Sequence, residues 1–225
     1  MGSRKLHASS TGYFPRYPND SICPTLTSLY GSSANIDGTK RAKPHVGVDG
    51  GRLGDAVIAP ADGHVIAIWE TNSGWGIEWS VLILHAAADL NLPDKKSIYY
   101  SEFSHFRKQD LQHLRIDQTV TRGQPIGRVH YPGGDSKYPA EVHWEVYEVP
   151  DVASSKIIWI KNELGFDTWQ NDEAQPVDPL YMLSLHQGIS RAGEVRITPF
   201  TTGNDYSEFK GFSYIFECKG PPDRE

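Results

Sequence analysis

The hydrophobic and polar positions of the chain fall into short runs that predict a β-rich fold. Residues 79–84 form a continuous apolar run with β-branched members, which is typical of a buried strand. Turn residues, such as those at 60–63, separate the runs from one another. Residues 110–115 are predicted to form one or two helical turns. Further strands are predicted at residues 57–59, 63–69, 98–106, 124–129, 194–197 and 212–216.

The clearest alternation of apolar and polar residues runs from Glu141 to Tyr147. Successive side chains of a strand point to opposite faces of its sheet. One face of this strand is therefore predicted to hold Val142, Trp144 and Val146. The other face is predicted to hold Glu141, His143, Glu145 and Tyr147.

The amino-acid composition limits the classes of protein to which the chain can belong. The chain has 225 residues, of which 38% are hydrophobic and 11% aromatic, enough to bury a core without metal or disulfide staples. Its 21 Gly and 15 Pro residues favour many turns over a helical bundle. The formal net charge of -6 argues against nucleic acid as a partner. Because no apolar run approaches the ~20 residues that cross a bilayer, no membrane span is expected.

The sequence pattern divides the chain into three segments. Residues 1–42 are rich in Gly, Pro, Ser, Thr and Asn and are predicted to form an irregular N-terminal arm. Residues 43–184 are predicted to form one domain, with an insertion at 150–175. Residues 185–225 are predicted to form a C-terminal extension that packs on this domain.

The two cysteines, Cys23 and Cys218, lie near opposite ends of the chain. A disulfide between them would indicate an oxidising compartment, whereas two buried thiols would carry no such implication. Since sequence alone cannot show that two cysteines are close, both alternatives stay open.

Among nine histidines, the arrangement around His45 offers the first candidate chemistry. Asp49 follows it by four residues, and both side chains are good zinc ligands. Fully extended, their Cα atoms would lie roughly 13 Å apart, too far to share one ion comfortably. Gly47 between them is expected to let the segment curl. Alone, this pair also fits an ordinary surface turn.

His143 adds a third donor on the strand with the clear alternation, and Glu141 shares its face about 6.6 Å away. Such positions beside an apolar face are often simply exposed to solvent. Combined with His45 and Asp49, however, they have the form of an open catalytic zinc site, with three protein ligands and a water. Zinc lowers the pKa of that water toward 7, a base takes its proton, and a donor stabilises the oxyanion.

Several blocks of the sequence resemble the lysostaphin-type (LytM-like) zinc metallopeptidases. Residues 45–49 resemble the H-x-G-x-D ligand motif of this family, and residues 103–106 resemble its Y-x-H-L block. Residues 123–127 match its G-Q-x-I-G turn. The remaining similar blocks lie at residues 54–65, 74–85 and 177–180. The resemblance covers about residues 43–184, with the blocks in the order of the family.

This resemblance implies a mainly β fold, an antiparallel sheet or sandwich of the lysostaphin type (a duplicated hybrid motif) with a groove over the sheet and few short helices. It implies His45, Asp49 and His143 as ligands of Zn²⁺. It implies His105 as a catalytic histidine that orients the water or stabilises the oxyanion. The implied activity is hydrolysis of peptides in bacterial peptidoglycan, in the periplasm or outside the cell. Since residues 1–10 lack the apolar stretch of a signal peptide, that location requires a signal that has been removed.

One position departs from the family. Its last motif reads H-L-H, and the chain has Glu141 where the first, catalytic histidine stands. A glutamate can act as the general base on a zinc-bound water, which would keep the enzyme active. The alternative is a catalytically degenerate module that binds cell wall or activates a partner hydrolase. The retained ligands favour activity.

Other residues are weighed against this pattern. His130 is interpreted as a loop histidine, with the alternative that it replaces the missing imidazole. His85 is interpreted as structural. The residues suggested for the walls of the groove are Trp75, Glu145 and Tyr147.

Two other classes fit poorly. Biotinyl or lipoyl carrier domains resemble half of this fold, but they need an exposed lysine that typically lies between methionines. Met1 and Met182 are the only methionines of the chain and do not flank such a hairpin. A serine hydrolase is disfavoured because the sequence has no G-x-S-x-G elbow.

Overall fold

The computed structural model describes residues 8–35, 38–189 and 191–220. These residues form fourteen strands: β1 (Phe14–Arg16), β2 (Leu26–Ser28), β3 (Val48–Gly50), β4 (Ala56–Ile58), β5 (Gly63–Thr71), β6 (Glu78–Ala86), β7 (Ile98–Phe106), β8 (Thr119–Val120), β9 (Pro125–Arg128), β10 (Val142–Val149), β11 (Ile158–Lys161), β12 (Asp167–Gln170), β13 (Gln175–Val177) and β14 (Glu194–Arg196).

Helices are few and short in the described part of the chain. The α-helix α1 spans Pro179–Ser184 and is capped by the Asp178 carboxylate, which accepts from the Leu180 N–H at 2.8 Å. Single 3-10 turns occur at Ala87–Leu90, Lys108–Leu111, Pro132–Gly134, Val152–Ser154 and Leu185–Gln187. None of the described helices has the length and apolar character to cross a membrane.

An eight-stranded sheet organises the molecule, in the order β2-β3-β10-β7-β6-β5-β8, with β13 also paired to β10. Every pair within this sheet is antiparallel. Smaller two-stranded sheets join β4 to β9 and β11 to β12. The predicted mainly β, antiparallel fold is confirmed.

The alternation along β10 explains where the core lies. Val142, Trp144 and Val146 are buried in the main hydrophobic cluster on one face of the sheet. The opposite face carries a second cluster, which includes Tyr147 and Trp169. The hairpin β11–β12 supplies Trp169, so the segment predicted as an insertion covers one end of this second face.

Described segments near the two ends of the chain are joined to each other. β1 and β14 pair in parallel, and Ile22 forms an antiparallel bridge with Lys219. Next to this bridge, Cys23 and Cys218 form a disulfide, which settles the alternatives that the sequence left open. Residues 1–7 of the predicted arm and 221–225 of the predicted extension lie outside the described residues.

The strand predicted at residues 212–216 is wrong. This segment is buried in the main cluster but contributes only an isolated bridge between Phe216 and Val57. A buried irregular segment and a buried strand are both rich in apolar residues, so the sequence pattern could not distinguish one from the other.

Candidate metal centre and groove

Sheet register brings the predicted ligands together. Asp49 in β3 lies directly opposite His143 in the neighbouring strand β10. Directly opposite residues of an antiparallel pair have Cβ atoms about 5 Å apart, so their side chains meet on one face. His45 reaches the same point because the chain bends at residues 46–47 before β3 begins.

Three side-chain atoms converge at this point. The His45 Nε2 atom lies 3.0 Å from Asp49 Oδ1 and 3.0 Å from His143 Nδ1. The third edge of the triangle, from His143 Nδ1 to Asp49 Oδ1, measures 2.7 Å. Ligand atoms of a tetrahedral zinc site with bonds of about 2.0 Å lie ~3.3 Å apart, so the triangle is close to one face of such a site.

The outer atoms of the same side chains have other partners. His45 Nδ1–H donates to the Leu29 carbonyl at 3.1 Å, and His143 Nε2–H donates to Glu145 Oε1 at 2.7 Å. The second oxygen of Asp49 accepts from Arg41 Nη2 at 3.1 Å. Such outer contacts fix the tautomer and orientation of metal-binding histidines.

These contacts decide what faces the centre of the triangle. With protons on His45 Nδ1 and His143 Nε2, both inner nitrogens carry lone pairs, and the inner oxygen of Asp49 carries another. Lone pairs at such short separations repel unless a proton or a metal cation lies among them. His45 and Asp49 are only 4% and 5% exposed, which limits solvation by water. A donor set of two imidazoles and one carboxylate fits Zn²⁺.

The electrostatics of the centre favour an ionised carboxylate. Burial by itself would raise the pKa of Asp49, but hydrogen bonds from His143 and His45 and their charges outweigh it, so the pKa of Asp49 is held well below its usual range. Burial alone would lower the pKa of His143, but its hydrogen bonds to Asp49 and Glu145 raise that pKa well above the usual value.

Gly47 lies so close to β10 that a side chain at this position would collide with it. A Cβ atom there would lie 2.5 Å from the Trp144 carbonyl oxygen and 3.0 Å from His143 Cε1. The predicted curl of the chain is present, but Gly47 is not among the described residues with positive φ. Close approach to β10, and not an unusual backbone angle, is therefore what demands glycine here.

His105 reaches the same groove through a β-bulge. Trp79 pairs with Phe106 and Val81 with Phe103, so Ser80 alone faces two residues of β7, Ser104 and His105. His105 has φ +73°, unusual for a residue with a side chain. Strict alternation would turn His105 toward the core with Phe103, and the bulge turns it instead toward the groove. The His105 and His143 ring centroids lie 6.1 Å apart.

Glu141 precedes β10 by one residue and forms an isolated bridge with His130. Its side chain lines the groove. Burial and the negative charge of Asp49 raise the pKa of Glu141 to about 7. Within the described residues, the cluster of potential metal ligands holds His45, Asp49 and His143 and leaves Glu141 outside.

A groove of about 670 Å³ opens above these residues. Its lining includes Trp75 and Tyr138, whose ring centroids lie 4.4 Å apart, and also Asn35 and Asn162. Trp75 and Glu145 line it as expected. The acidic residues of its wall are Asp49, Glu78, Glu102, Glu141 and Glu145, against the cations Arg41 and Lys137.

The interpretation of Tyr147 as a groove residue is wrong. Its side chain is fully buried, and its ring packs edge-on against Trp169 at 5.1 Å. The alternation rule placed Tyr147 on the correct face, but the hairpin β11–β12 covers that end of the face.

The remaining histidines of interest lie elsewhere. His85 is fully buried, with Nδ1–H donating to the Asp62 carbonyl at 2.7 Å and Nε2 accepting from Ser101 Oγ at 3.1 Å. Burial lowers the pKa of His85 to about 4, which fits the structural role expected from the sequence. His130 is not among the residues that line the groove, and its Nδ1 contacts the Tyr131 carbonyl at 3.3 Å.

The sequence did not reveal two side chains around the centre, Arg41 and Glu78, or the contact of Glu145 with His143. Arg41 pairs with Asp49, Glu145 orients His143, and Glu78 Oε2 lies 2.6 Å from His105 Nδ1. Glu145 had a detectable signal, since it stands two residues from His143 on the same strand face. Arg41 and Glu78 reach the site through tertiary contacts that no local pattern encodes.

No family model matches the chain, and no curated protein matches it. Among solved structures, the chain is similar to a zinc-containing peptidase from Vibrio cholerae, with 23% identity, a TM-score of 0.43, and coverage of 74% of this chain and 39% of that one. It is similar to LytU, with 17% identity, a TM-score of 0.41, and coverage of 73% and 86%. It is also similar to the catalytic domain of the antimicrobial peptidase lysostaphin from Staphylococcus simulans, with 18% identity, a TM-score of 0.37, and coverage of 70% and 87%. The chain thus spans less than half of the Vibrio cholerae protein.

Proposed function

We propose that the chain is a zinc-dependent metalloendopeptidase that hydrolyses peptide bonds in bacterial peptidoglycan. The observation that carries this proposal is the convergence of three lone-pair atoms, from His45, Asp49 and His143, within 3.0 Å of one another beside an open groove. A purely structural cluster would not need to face a groove of this size.

In this proposal His45, Asp49 and His143 hold the metal. Bound Zn²⁺ supplies a water with a pKa near 7 and polarises the carbonyl of the scissile peptide. Leu29, Glu145 and Arg41 keep the three ligands in place through the hydrogen bonds described above. Because three protein ligands leave a fourth position open, the site has the form of a catalytic and not of a structural zinc centre.

Glu141 and His105 are proposed as the catalytic residues. Glu141 lines the groove without being one of the clustered ligand atoms, which suits a general base that takes a proton from the attacking water and passes it to the leaving amine. His105 faces the groove from β7, where it would orient that water or stabilise the oxyanion.

Substrate class and location rest on separate observations. The order of sequence blocks that resemble the lysostaphin-type family supports peptidoglycan peptides as the substrate. The disulfide between Cys23 and Cys218 supports an oxidising compartment, and therefore a periplasmic or secreted protein. We also infer that residues 43–184 are the peptidase domain, on which the arm and the C-terminal extension pack.

The experiment begins with metal-depleted protein reloaded with Zn²⁺. We expect about one zinc per chain in the wild type, and loss of that zinc in His143→Ala. Zinc-loaded protein is then incubated with purified peptidoglycan, and new amino termini are identified by mass spectrometry. Glu141→Ala should keep its zinc and lose cleavage, whereas Glu148→Gln, a change on the same strand outside the groove, should keep both.

Two outcomes would contradict the proposal. Wild-type protein that takes up no zinc would exclude the metallopeptidase. Zinc-bound protein that cleaves nothing would favour the degenerate module that binds cell wall or activates a partner hydrolase. In that second case, cleavage gained by Glu141→His would identify the glutamate as the cause of the lost activity.

A further inference from the structure

Glu78 is a buried carboxylate next to the groove that is neither a proposed metal ligand nor a proposed catalytic residue. It is the first residue of β6 and is only 2% exposed. Its Oε2 atom lies 2.6 Å from His105 Nδ1. A distance this short between an imidazole and a carboxylate is typical of a charge-assisted hydrogen bond.

Two further donors hold this carboxylate from the loops on either side. Ser73 Oγ–H donates to Oε1 of Glu78 at 2.5 Å. The backbone N–H of Gly133 donates to the same carboxylate. Burial would raise the pKa of Glu78, but the hydrogen bond and charge of His105 and these two donors outweigh it, so the pKa of Glu78 is lowered. The side chain is therefore an ionised acceptor.

The glycine-rich loop that carries Gly133 packs closely against the residues between β5 and β6. Gly133 has φ +58°, and a Cβ atom there would lie 2.0 Å from the Trp75 carbonyl oxygen. Only glycine lets the loop approach the β5–β6 hairpin this closely. The loop from His130 to Asp135 thus reaches the carboxylate of Glu78 through the Gly133 backbone.

His105 needs such support because its backbone is held in an unfavourable conformation. The φ of +73° arises at the bulge in β7, where one residue of β6 faces two of β7. Residues with side chains keep such angles only where the surrounding structure fixes them, and these positions cluster at functional sites. The bond from Glu78 fixes the ring that the bulge turns outward.

We propose that Glu78 is a positioning residue for His105, which it locks in the tautomer that carries the proton on Nδ1. This inference rests on the proposed function of His105. With the Nδ1 proton donated to Glu78, Nε2 of the neutral ring is an acceptor. In this neutral form His105 serves the first of its two implied roles, orientation of the attacking water, whose O–H donates to Nε2.

The test combines tautomer, metal content and kinetics in Glu78→Gln. We expect nitrogen-15 NMR of the wild type to show His105 protonated on Nδ1, with the resonance assigned by its loss in His105→Gln. In Glu78→Gln we expect the tautomers to mix and kcat to fall about a hundredfold or more, a typical loss when an acid–base group is disabled. Zinc content should stay at one per chain and KM should change by less than about threefold.

Glu148→Gln is the matched control, because Glu148 also accepts a hydrogen bond from a buried ring, Tyr99 at 2.9 Å, but lies outside the groove. It should leave kcat and the His105 tautomer unchanged. An Nε2 proton on His105 in the wild type would overturn the inference even where Glu78→Gln does not fold. A folded, zinc-loaded Glu78→Gln enzyme with wild-type kcat would also overturn it.

Failure of the proposed function gives a different result. If the wild type binds zinc but cleaves no peptidoglycan, the peptidase proposal fails, and the tautomer alone decides the role of Glu78. A His105 proton on Nδ1 that leaves this atom in Glu78→Gln supports the positioning role, and a tautomer unchanged by the substitution contradicts it.

Discussion

Asp49 and His143 face each other across the antiparallel pair of β3 and β10, and their side chains meet at 2.7 Å. This pairing joins two residues that are 94 positions apart in the sequence. Each of the two has a second partner on its outer side, Arg41 for Asp49 and Glu145 for His143. The candidate metal centre therefore depends on the sheet register and on the residues that surround it.

Glu145→Gln should weaken zinc binding while leaving the fold intact. The substitution removes the negative charge that accepts the Nε2 proton of His143, and loss of such an outer partner typically costs 10–100-fold in metal affinity. The measurement is the zinc dissociation constant in competition with a chelator, with Glu148→Gln as the control. Equal affinity in Glu145→Gln and the wild type would show that Glu145 does not orient the ligand.

Gly47→Ala should damage both stability and the metal centre. The added Cβ would lie 2.5 Å from the Trp144 carbonyl oxygen, so β10 or the bend before β3 must shift. We expect a loss of about 1–3 kcal/mol in the free energy of unfolding, as for other overpacked sites, together with weaker zinc binding. Gly220→Ala is the matched control, because a Cβ there meets no atom within 4 Å. Wild-type stability and zinc affinity in Gly47→Ala would contradict this account.

The sequence predicted the strands well wherever local pattern and burial agree. The runs at residues 63–69, 79–84 and 98–106 lie within β5, β6 and β7, and the alternation from Glu141 to Tyr147 coincides with β10 almost residue by residue. These strands have one face in the main core, so the period of two is imposed on the sequence by burial.

Features that depend on contacts between distant segments were not predictable in the same way. The bulge that turns His105 toward the groove interrupts the alternation of β7. No local feature of the sequence Phe103–Phe106 indicates this bulge. Tyr147 follows the alternation correctly but is covered by Trp169, which lies more than twenty residues later in the chain. Glu78 is a polar residue at the start of a strand, which is a common position for polar residues. Its contact with His105 arises only from the tertiary fold.

His85 should make the folded protein less stable as the pH falls from 6.5 to about 4. Burial first, and then the charge of Arg122, lower its folded pKa to about 4, against an unfolded value of about 6.5. Between these pH values His85 is protonated in the unfolded chain but not in the folded chain, so the free energy of unfolding falls as the pH drops. The whole difference amounts to about 3 kcal/mol.

The measurement for His85 compares urea unfolding of the wild type and of His85→Asn from pH 4 to 7.5. An asparagine amide can still donate to the Asp62 carbonyl but does not titrate. We expect the stability of the wild type relative to the variant to decline toward low pH, and to be constant above pH 7. Parallel curves for the two proteins would show that His85 is not buried in its neutral form.

Removal of the disulfide in Cys23→Ala/Cys218→Ala should lower the free energy of unfolding by about 2–5 kcal/mol. The bond closes a loop of nearly the whole chain, with a sequence separation of 195 between its cysteines, so its loss releases a large conformational entropy in the unfolded state. For a chain of this length the loss corresponds to a melting temperature lower by roughly 5–15 °C. The disulfide also lies close in sequence to the segment that holds His45. The strand β2 begins three residues after Cys23, pairs with β3, and ends beside the Leu29 carbonyl, which accepts a hydrogen bond from His45.

Zinc affinity should therefore weaken in the double variant, as measured by chelator competition beside thermal unfolding. The wild type treated with a reductant should behave like the variant. Unfolding at the same temperature with and without the bond would mean that β1, β14 and the Ile22–Lys219 bridge hold the two ends together without it.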